Sequence, residues 1–88
     1  MAMQGMDVQA VRTLGDQMQR KAGDIERIIG DVQSLVGGAS WEGQDAVRFR
    51  DDWQNSLSGQ LKNVAKALEG AGQSALNNAK EQDEVSQR

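Results

Sequence analysis

The sequence predicts an all-α fold, an antiparallel two-helix hairpin that assembles as a dimeric four-helix bundle. Two observations lead to this prediction. Apolar residues recur every three or four positions in both halves of the chain, and a short glycine-rich stretch separates the halves. A chain of 88 residues forms a single domain, and a hairpin of this size has little core of its own. We therefore expect a second chain to complete the packing.

The first half predicts a helix over about residues 7–36. Its apolar side chains form two adjoining rows. One row holds Val11, Leu14, Met18, Ile25, Ile28, Val32 and Leu35, and the other holds Val8, Gly15, Ala22, Ile29 and Val36. A stripe of this width is too broad for one partner helix. One row is expected to face the hairpin mate and the other a helix of another subunit.

The second half predicts a helix over about residues 44–80. Its apolar side chains shrink toward the C-terminus, and residues 81–88 carry almost nothing apolar, so we expect a flexible tail there. The predicted core of the hairpin and the dimer comprises Val11, Leu14, Met18, Ile25, Ile28, Ile29, Val32, Leu35, Trp53, Leu57, Leu61, Val64 and Leu68.

Residues 37–43 are expected to form the turn between the helices. Gly37 or Gly38 suits a left-handed C-cap of the first helix. Ser40 is placed to accept backbone N–H bonds at the start of the second. Because the connection is short, the two helices should be antiparallel neighbours.

Trp41 in this turn allows two interpretations. It is either a plug that closes the end of the hairpin against Phe49, or a recognition residue, since an indole in a loop is rarely wholly buried. Gly43 lacks a Cβ and is expected to let the backbone turn tightly beneath the indole.

Composition argues against several classes of function. The chain has no Cys, His or Tyr and no glycine-rich loop after a strand, so nucleophilic, acid/base and phosphate-binding mechanisms lack their residues. Asp51 and Asp52 are interpreted as solvated partners of Arg48, and together with Asp45 they are not expected to form a metal site. We predict a protein that is not an enzyme and uses no cofactor or metal. The net charge of −3 argues against nucleic-acid binding, and no apolar run is long enough for membrane insertion.

The segment from Trp41 through Gly43 to Phe49 resembles the signature of the WXG family of about hundred-residue, ESAT-like proteins. Residues 49–53 and 76–82 are similar to an actinobacterial branch of that family. In that signature a Trp-x-Gly lies at mid-chain and an aromatic residue follows eight positions after the Trp. The chain length, the two flanking amphipathic helices and the absence of a signal peptide agree with this resemblance, which spans nearly the whole chain.

The resemblance implies a secreted, protein-binding partner of a bacterial type VII, ESX-like secretion system. Such a protein pairs with itself or with a sister protein of the family, and is exported folded by a secretion ATPase without a cleavable signal peptide. The Trp41–Gly43 turn would be half of a composite export signal. The other half in the family is Tyr-x-x-x-Asp/Glu after the second helix.

The chain departs from the family at this second half of the signal. At the nearest register Leu76 takes the place of the aromatic residue and Lys80 that of the acid, with Glu81 beside it. Either a variant signal or a partner supplies the missing half. The alternative function is therefore a cytoplasmic chaperone or adaptor for a larger secreted toxin or effector. A plain structural coiled coil would not explain the Trp-x-Gly turn, and membrane lysis is disfavoured because the polar faces are acidic or mixed.

Overall fold

The fold is a hairpin of two long helical arms. The computed structural model describes residues 6–86, and no strand occurs in that range. The first arm is one helix, α1 (Val8–Gly38). The second arm consists of helix α2 (Gln44–Asp52), a π-helical turn (Trp53–Leu57) and helix α3 (Ser58–Ser86). The molecule is a rod of 65 × 17 × 13 Å. The predicted all-α helical hairpin is confirmed.

Helix α1 begins with a side-chain cap and ends without the expected glycine cap. The carboxylate of Asp7 accepts a hydrogen bond from the backbone N–H of Ala10 at 3.1 Å. At the other end, the prediction of a left-handed cap at Gly37 or Gly38 is wrong, since both residues are helical. The chain leaves the helix at Ala39 in an extended conformation, and the Ala39 N–H donates to the Leu35 carbonyl at 3.1 Å.

The arms meet along a seam of small and apolar residues. On α1 the buried residues follow one another at steps of seven, and they belong to the row that also contains Val8 and Val36. The seam comprises Gly15, Ala22 and Ile29 on α1 and Ala46, Trp53, Ala65, Gly72 and Ala79 on the second arm. This row of α1 is therefore the one that faces the hairpin mate.

The arms approach most closely at two glycines of the seam. A Cβ built on Gly15 would lie 2.8 Å from the Gly72 carbonyl oxygen, and one built on Gly72 would lie 2.8 Å from the Gly15 carbonyl oxygen. Neither position has room for a side chain. Beside this contact, the Gln19 side-chain amide donates to the Gln73 side-chain oxygen at 3.3 Å. The seam is thus closed by backbone contact at this point.

The π-helical turn keeps the second arm facing α1 along its whole length. The Ser58 N–H donates to the Trp53 carbonyl, five residues back. Buried residues are seven apart on either side of the turn, but Trp53 and Ala65 are twelve apart. Three regular helical turns take about eleven residues, so one residue is in excess. The wider turn absorbs that residue.

The second arm continues farther than the sequence predicts. Helix α3 reaches Ser86, so the prediction that the helix ends near residue 80 and a flexible tail follows is wrong for residues 81–86. Gln82 and Asp83 are half-buried because they lie three and four residues after Ala79, on the face that carries the seam. Residues 87 and 88 of the predicted tail lie outside the described residues.

Candidate functional site

The turn between the arms depends on the backbone conformation of Gly43. Gly43 has φ 111° and ψ 178°, and no other residue between 6 and 86 has a positive φ. This region of the backbone map is essentially restricted to glycine. Gly43 is also the N-cap of α2, and its carbonyl accepts from the Val47 N–H at 3.1 Å. The Gly of the Trp-x-Gly signature is therefore required by the fold of the turn.

Two expectations for this turn are wrong. Ser40 does not cap α2, because the cap falls at Gly43 and no side chain bonds to the first turn. Gly43 does not lie tightly beneath the indole either, since a Cβ added there would meet nothing within 4 Å. The requirement for glycine comes from the backbone angle and not from a close neighbour.

The guanidinium of Arg50 holds the turn together from the second arm. Its Nη2 donates to the Trp41 carbonyl at 2.9 Å and to the Val36 carbonyl at 3.2 Å. Val36 is in the last turn of α1, where carbonyls lack a helical partner, and that turn has no basic residue of its own. The single cation of Arg50 therefore donates hydrogen bonds both to a free carbonyl at the end of α1 and to a carbonyl of the loop.

The aromatic residues of the chain form a single cluster at this end of the hairpin. The ring centroids of Trp41 and Phe49 are 6.2 Å apart, and those of Phe49 and Trp53 are 6.3 Å apart in a stacked arrangement. Trp53 is buried in the seam, Phe49 is half-buried, and Trp41 remains 45% exposed. The Trp41 indole is held on one side by Phe49 and is available to solvent on the other.

Burial of Trp53 leaves one polar atom unpaired. Its indole Nε1 is buried and has no hydrogen-bond partner. An unpaired buried donor is unfavourable by about 1–3 kcal/mol. Trp53 is also the first residue of the π-helical turn. The irregular turn and the unpaired donor therefore occur at the same residue of the seam.

The residues predicted for the C-terminal signal do not form a common surface. Lys80 and Glu81 are exposed, whereas Leu76 is half-buried. A Cβ on Gly15 would lie 2.8 Å from the Leu76 Cγ, so Leu76 packs beside the closest contact of the arms. A larger aromatic ring in its place would have to displace that contact.

The residues predicted for the core fall into three groups by burial. Ile29 and Trp53 are buried. Val11, Met18, Ile25, Val32, Leu61 and Leu68 are half-buried. Leu14, Ile28, Leu35, Leu57 and Val64 are exposed in the single chain and are not part of the hairpin core. We call these five exposed residues the lateral face.

The lateral face lies on one side of the hairpin. Each of its residues immediately precedes a residue of the seam row or a half-buried neighbour of it, and is therefore rotated about 100° from the seam in the same sense. Two antiparallel helices are related by a two-fold axis perpendicular to the plane that contains both helix axes. Rotation about this axis keeps a side chain on the same side of that plane. Equal rotations on both arms thus bring the five side chains to the same side.

A groove opens between the arms next to the aromatic cluster. It encloses about 420 Å³. Gln33, Val36 and Gly37 of α1 form one wall, and Arg50, Trp53, Gln54, Ser58 and Lys62 of the second arm form the other. Among the described residues, no acidic one lines the groove. The groove lies at the π-helical turn, whereas the arms approach closely at Gly15 and Gly72 farther along.

Arg48 on α2 forms an exposed ion pair. Arg48 pairs with Asp45 at 3.5 Å, one turn back, and not with Asp51 or Asp52 as expected. Between residues 6 and 86 no group of three or more acidic residues is placed to hold a metal ion. In the same range, no helix combines the length and the apolar character needed to cross a membrane.

Sequence reasoning identified the turn and missed what holds it. Arg50 was not singled out, although the lack of a basic residue in the last turn of α1 is visible in the sequence and leaves carbonyls for a cation from elsewhere. The π-helical turn shows in the sequence only as a spacing of twelve residues between two buried positions where the other spacings are seven. This spacing can be recognised only after the seam residues are known.

In comparisons with known proteins, the chain matches no family model, no curated protein and no solved structure.

Proposed function

We propose that this chain is a small, secreted, protein-binding partner of a bacterial type VII, ESX-like secretion system. The turn carries the proposal. Its Trp41 is supported by Phe49, fixed through its carbonyl by Arg50 and half-exposed at the tip of a rigid hairpin. A large aromatic side chain held in this way loses little conformational entropy on binding, which suits a recognition residue.

The lateral face supports the second part of the proposal, pairing with another chain. Its five large apolar side chains are exposed on one side of a narrow rod. Apolar side chains gathered on one side of a small protein are typical of an interface. We propose that this face pairs with a second copy or a sister protein to form a four-helix bundle.

Export in a host with a matching secretion machine tests the role of Trp41. Because Trp41 is 45% exposed, Trp41→Ala should lower stability by only about 1–2 kcal/mol, less than the loss for a fully buried aromatic residue. It should nevertheless reduce secretion strongly. The measurement is the amount of protein in the culture supernatant relative to the cells, together with the melting temperature.

Leu68→Ala is the matched control for this experiment. Leu68 is a half-buried residue of α3 beside the seam and lies far from the turn, so its truncation should destabilise the hairpin without touching Trp41. We expect secretion of Leu68→Ala to be retained. Equal losses of export in both variants would assign Trp41 a structural role only.

The alternative function, a cytoplasmic chaperone or adaptor for a larger secreted effector, is favoured by the C-terminal part of the chain. No Tyr is present, and Leu76 packs beside the closest contact of the arms, so the second half of the export signal has no counterpart there. A chain of this kind would stay in the cell and leave only with its partner, if at all.

Asn77→Tyr discriminates between the two functions. It places a Tyr four residues before Glu81, and both positions are exposed. Leu76 keeps its half-buried place beside the seam. If the chain is a substrate limited by its missing signal, this variant should be exported more efficiently and without a partner. Unchanged retention in the cytoplasm would favour the adaptor.

A further inference from the structure

The groove between the arms has polar groups that the fold does not use. Within the described chain, the side chains of Gln33, Gln54, Ser58 and Lys62 form no hydrogen bond or ion pair. Arg50 is engaged, but only by neutral carbonyls, so its charge is not compensated. The groove therefore carries two unneutralised positive charges and several spare hydrogen-bonding groups.

These charges contrast with the rest of the molecule. The chain has 13 acidic and 10 basic residues, yet none of the acidic residues between 6 and 86 lines the groove. Two cations in an otherwise acidic chain do not make the extended basic surface that nucleic acids or anionic membranes require. They suit a ligand that carries a few negative charges at defined positions.

The spacing of the two cations indicates an elongated ligand. Arg50 and Lys62 are twelve residues apart on the second arm, which corresponds to about 18 Å along the helix axis. Because the Arg50 guanidinium is held at the Val36 and Trp41 carbonyls, a single phosphate or carboxylate is too small to bridge from it to Lys62. Between them, Trp53 and Val36 present apolar surface. The order along the groove is thus cation, apolar surface, cation.

We propose that this groove binds an acidic peptide segment of a partner protein, with carboxylates near both ends of the segment and an apolar side chain between them. The carboxylates face Arg50 and Lys62, and the apolar side chain rests against Trp53. The amides of Gln33 and Gln54 and the Ser58 hydroxyl contact the peptide backbone. The proposal does not depend on secretion, because it concerns binding to the isolated protein.

Titration with a synthetic peptide tests the proposal. The probe is a peptide of about six residues, capped at both ends, with glutamates at its ends and leucine in the middle, which spans about 20 Å when extended. The readout is the Trp53 indole N–H signal in a nitrogen-correlated NMR spectrum, assigned with Trp41→Phe. We expect this signal to shift on addition of the peptide, and to shift much less with the same peptide carrying glutamine in place of glutamate. Inorganic phosphate should leave it unchanged.

Two charge reversals on the second arm supply matched variants. Lys62 lines the groove, whereas Lys66 lies one turn farther along and does not, and both side chains are exposed. Lys62→Glu should weaken peptide binding about tenfold, and Lys66→Glu should change it less than twofold. The helical content of both variants should equal that of the wild type.

Several outcomes would overturn the proposal. These are no shift with the glutamate peptide, equal binding of the glutamine peptide, binding of phosphate at similar concentration, or equal effects of the two charge reversals. If Lys62→Glu changes the mass of the protein in solution and not its affinity for the peptide, a second copy of this chain occupies the groove, and the proposal fails as stated.

Discussion

A single backbone angle decides where the second arm begins. Gly43 has a φ of 111° in a region that other residues adopt only at a free-energy cost of about 1–3 kcal/mol. Gly43→Ala should therefore lower the free energy of unfolding by about that amount although its Cβ would meet no neighbour. Urea denaturation followed by circular dichroism measures the change.

Gly30→Ala is the control for the Gly43 substitution. Gly30 is helical, exposed and free of close neighbours, so alanine should stabilise the protein there by about 0.5–1 kcal/mol. Opposite signs for the two variants are expected. A Gly43→Ala variant as stable as the wild type would show that the turn adopts another conformation in solution.

Arg50 allows a second prediction at the scale of one residue. Arg50→Met keeps much of the side chain's apolar length and removes the donor to the Val36 and Trp41 carbonyls. We predict a loss of about 1–3 kcal/mol in the free energy of unfolding, since polar groups at a half-buried site lose their partner. Arg48→Met, which removes only an exposed ion pair with Asp45, should change stability by less than about 0.5 kcal/mol. Equal losses would contradict the bracing role of Arg50.

At the scale of the helix, the seam requires glycine at some positions and merely contains it at others. A Cβ on Gly15 would lie 2.8 Å from both the Gly72 carbonyl oxygen and the Leu76 Cγ. Gly15→Ala should therefore force the arms apart and destabilise the hairpin by about 1–3 kcal/mol. Gly23→Ala, on the same helix with nothing within 4 Å, should stabilise it slightly. Thermal unfolding of the two variants distinguishes crowding from helix propensity.

The sequence predicts the two arms well because their apolar periodicity is strong. Helix α1 starts within one residue of its predicted position, and the row of Gly15, Ala22 and Ile29 was recognised. The predicted helix end near residue 80 is wrong for α3, because low apolar content does not by itself end a helix. Gln82 continues the helix by propensity, and both Gln82 and Asp83 continue it by their position after Ala79.

The turn shows why a site is harder to predict than a helix. Trp41, Gly43 and Phe49 are recognisable as residues, and the structure brings the two rings into contact. The cap positions were assigned from residue preferences, which favour Gly37, Gly38 and Ser40. The observed cap falls at Gly43, and Arg50 holds the loop before it through the Val36 and Trp41 carbonyls. No local pattern contains this information.

At the scale of the whole molecule, two adjacent isoleucines allow folding and the proposed association to be tested separately. Ile29 is 5% exposed in the seam, and Ile28 is 50% exposed on the lateral face. Ile28→Asp should leave a helical hairpin and shift its mass to that of a monomer. Ile29→Asp should reduce helical content itself, because a charge would be buried without a partner. Light scattering on a size-exclusion column and circular dichroism measure the two effects.

The outcome of this pair decides the role of the lateral face. A wild-type protein that is monomeric at micromolar concentration, or an Ile28→Asp variant with the mass of the wild type, would remove the face from the proposed dimer interface. Loss of helicity in both variants would mean that the hairpin does not fold without its partner.

The gradient of side-chain size along the seam has a mechanical consequence. The start of α1 and the end of α3 lie at the same end of the rod, opposite the turn. A force that pulls these two helix ends away from each other therefore separates the arms one contact at a time. The first contacts to part are those around Ala79, Gly72 and Gly15, which bury little side-chain area. The aromatic cluster and the Arg50 hydrogen bonds part last. A partly peeled chain thus keeps its turn closed, and because the loop that must re-form is short, the arms can close again from that end as soon as the force is released.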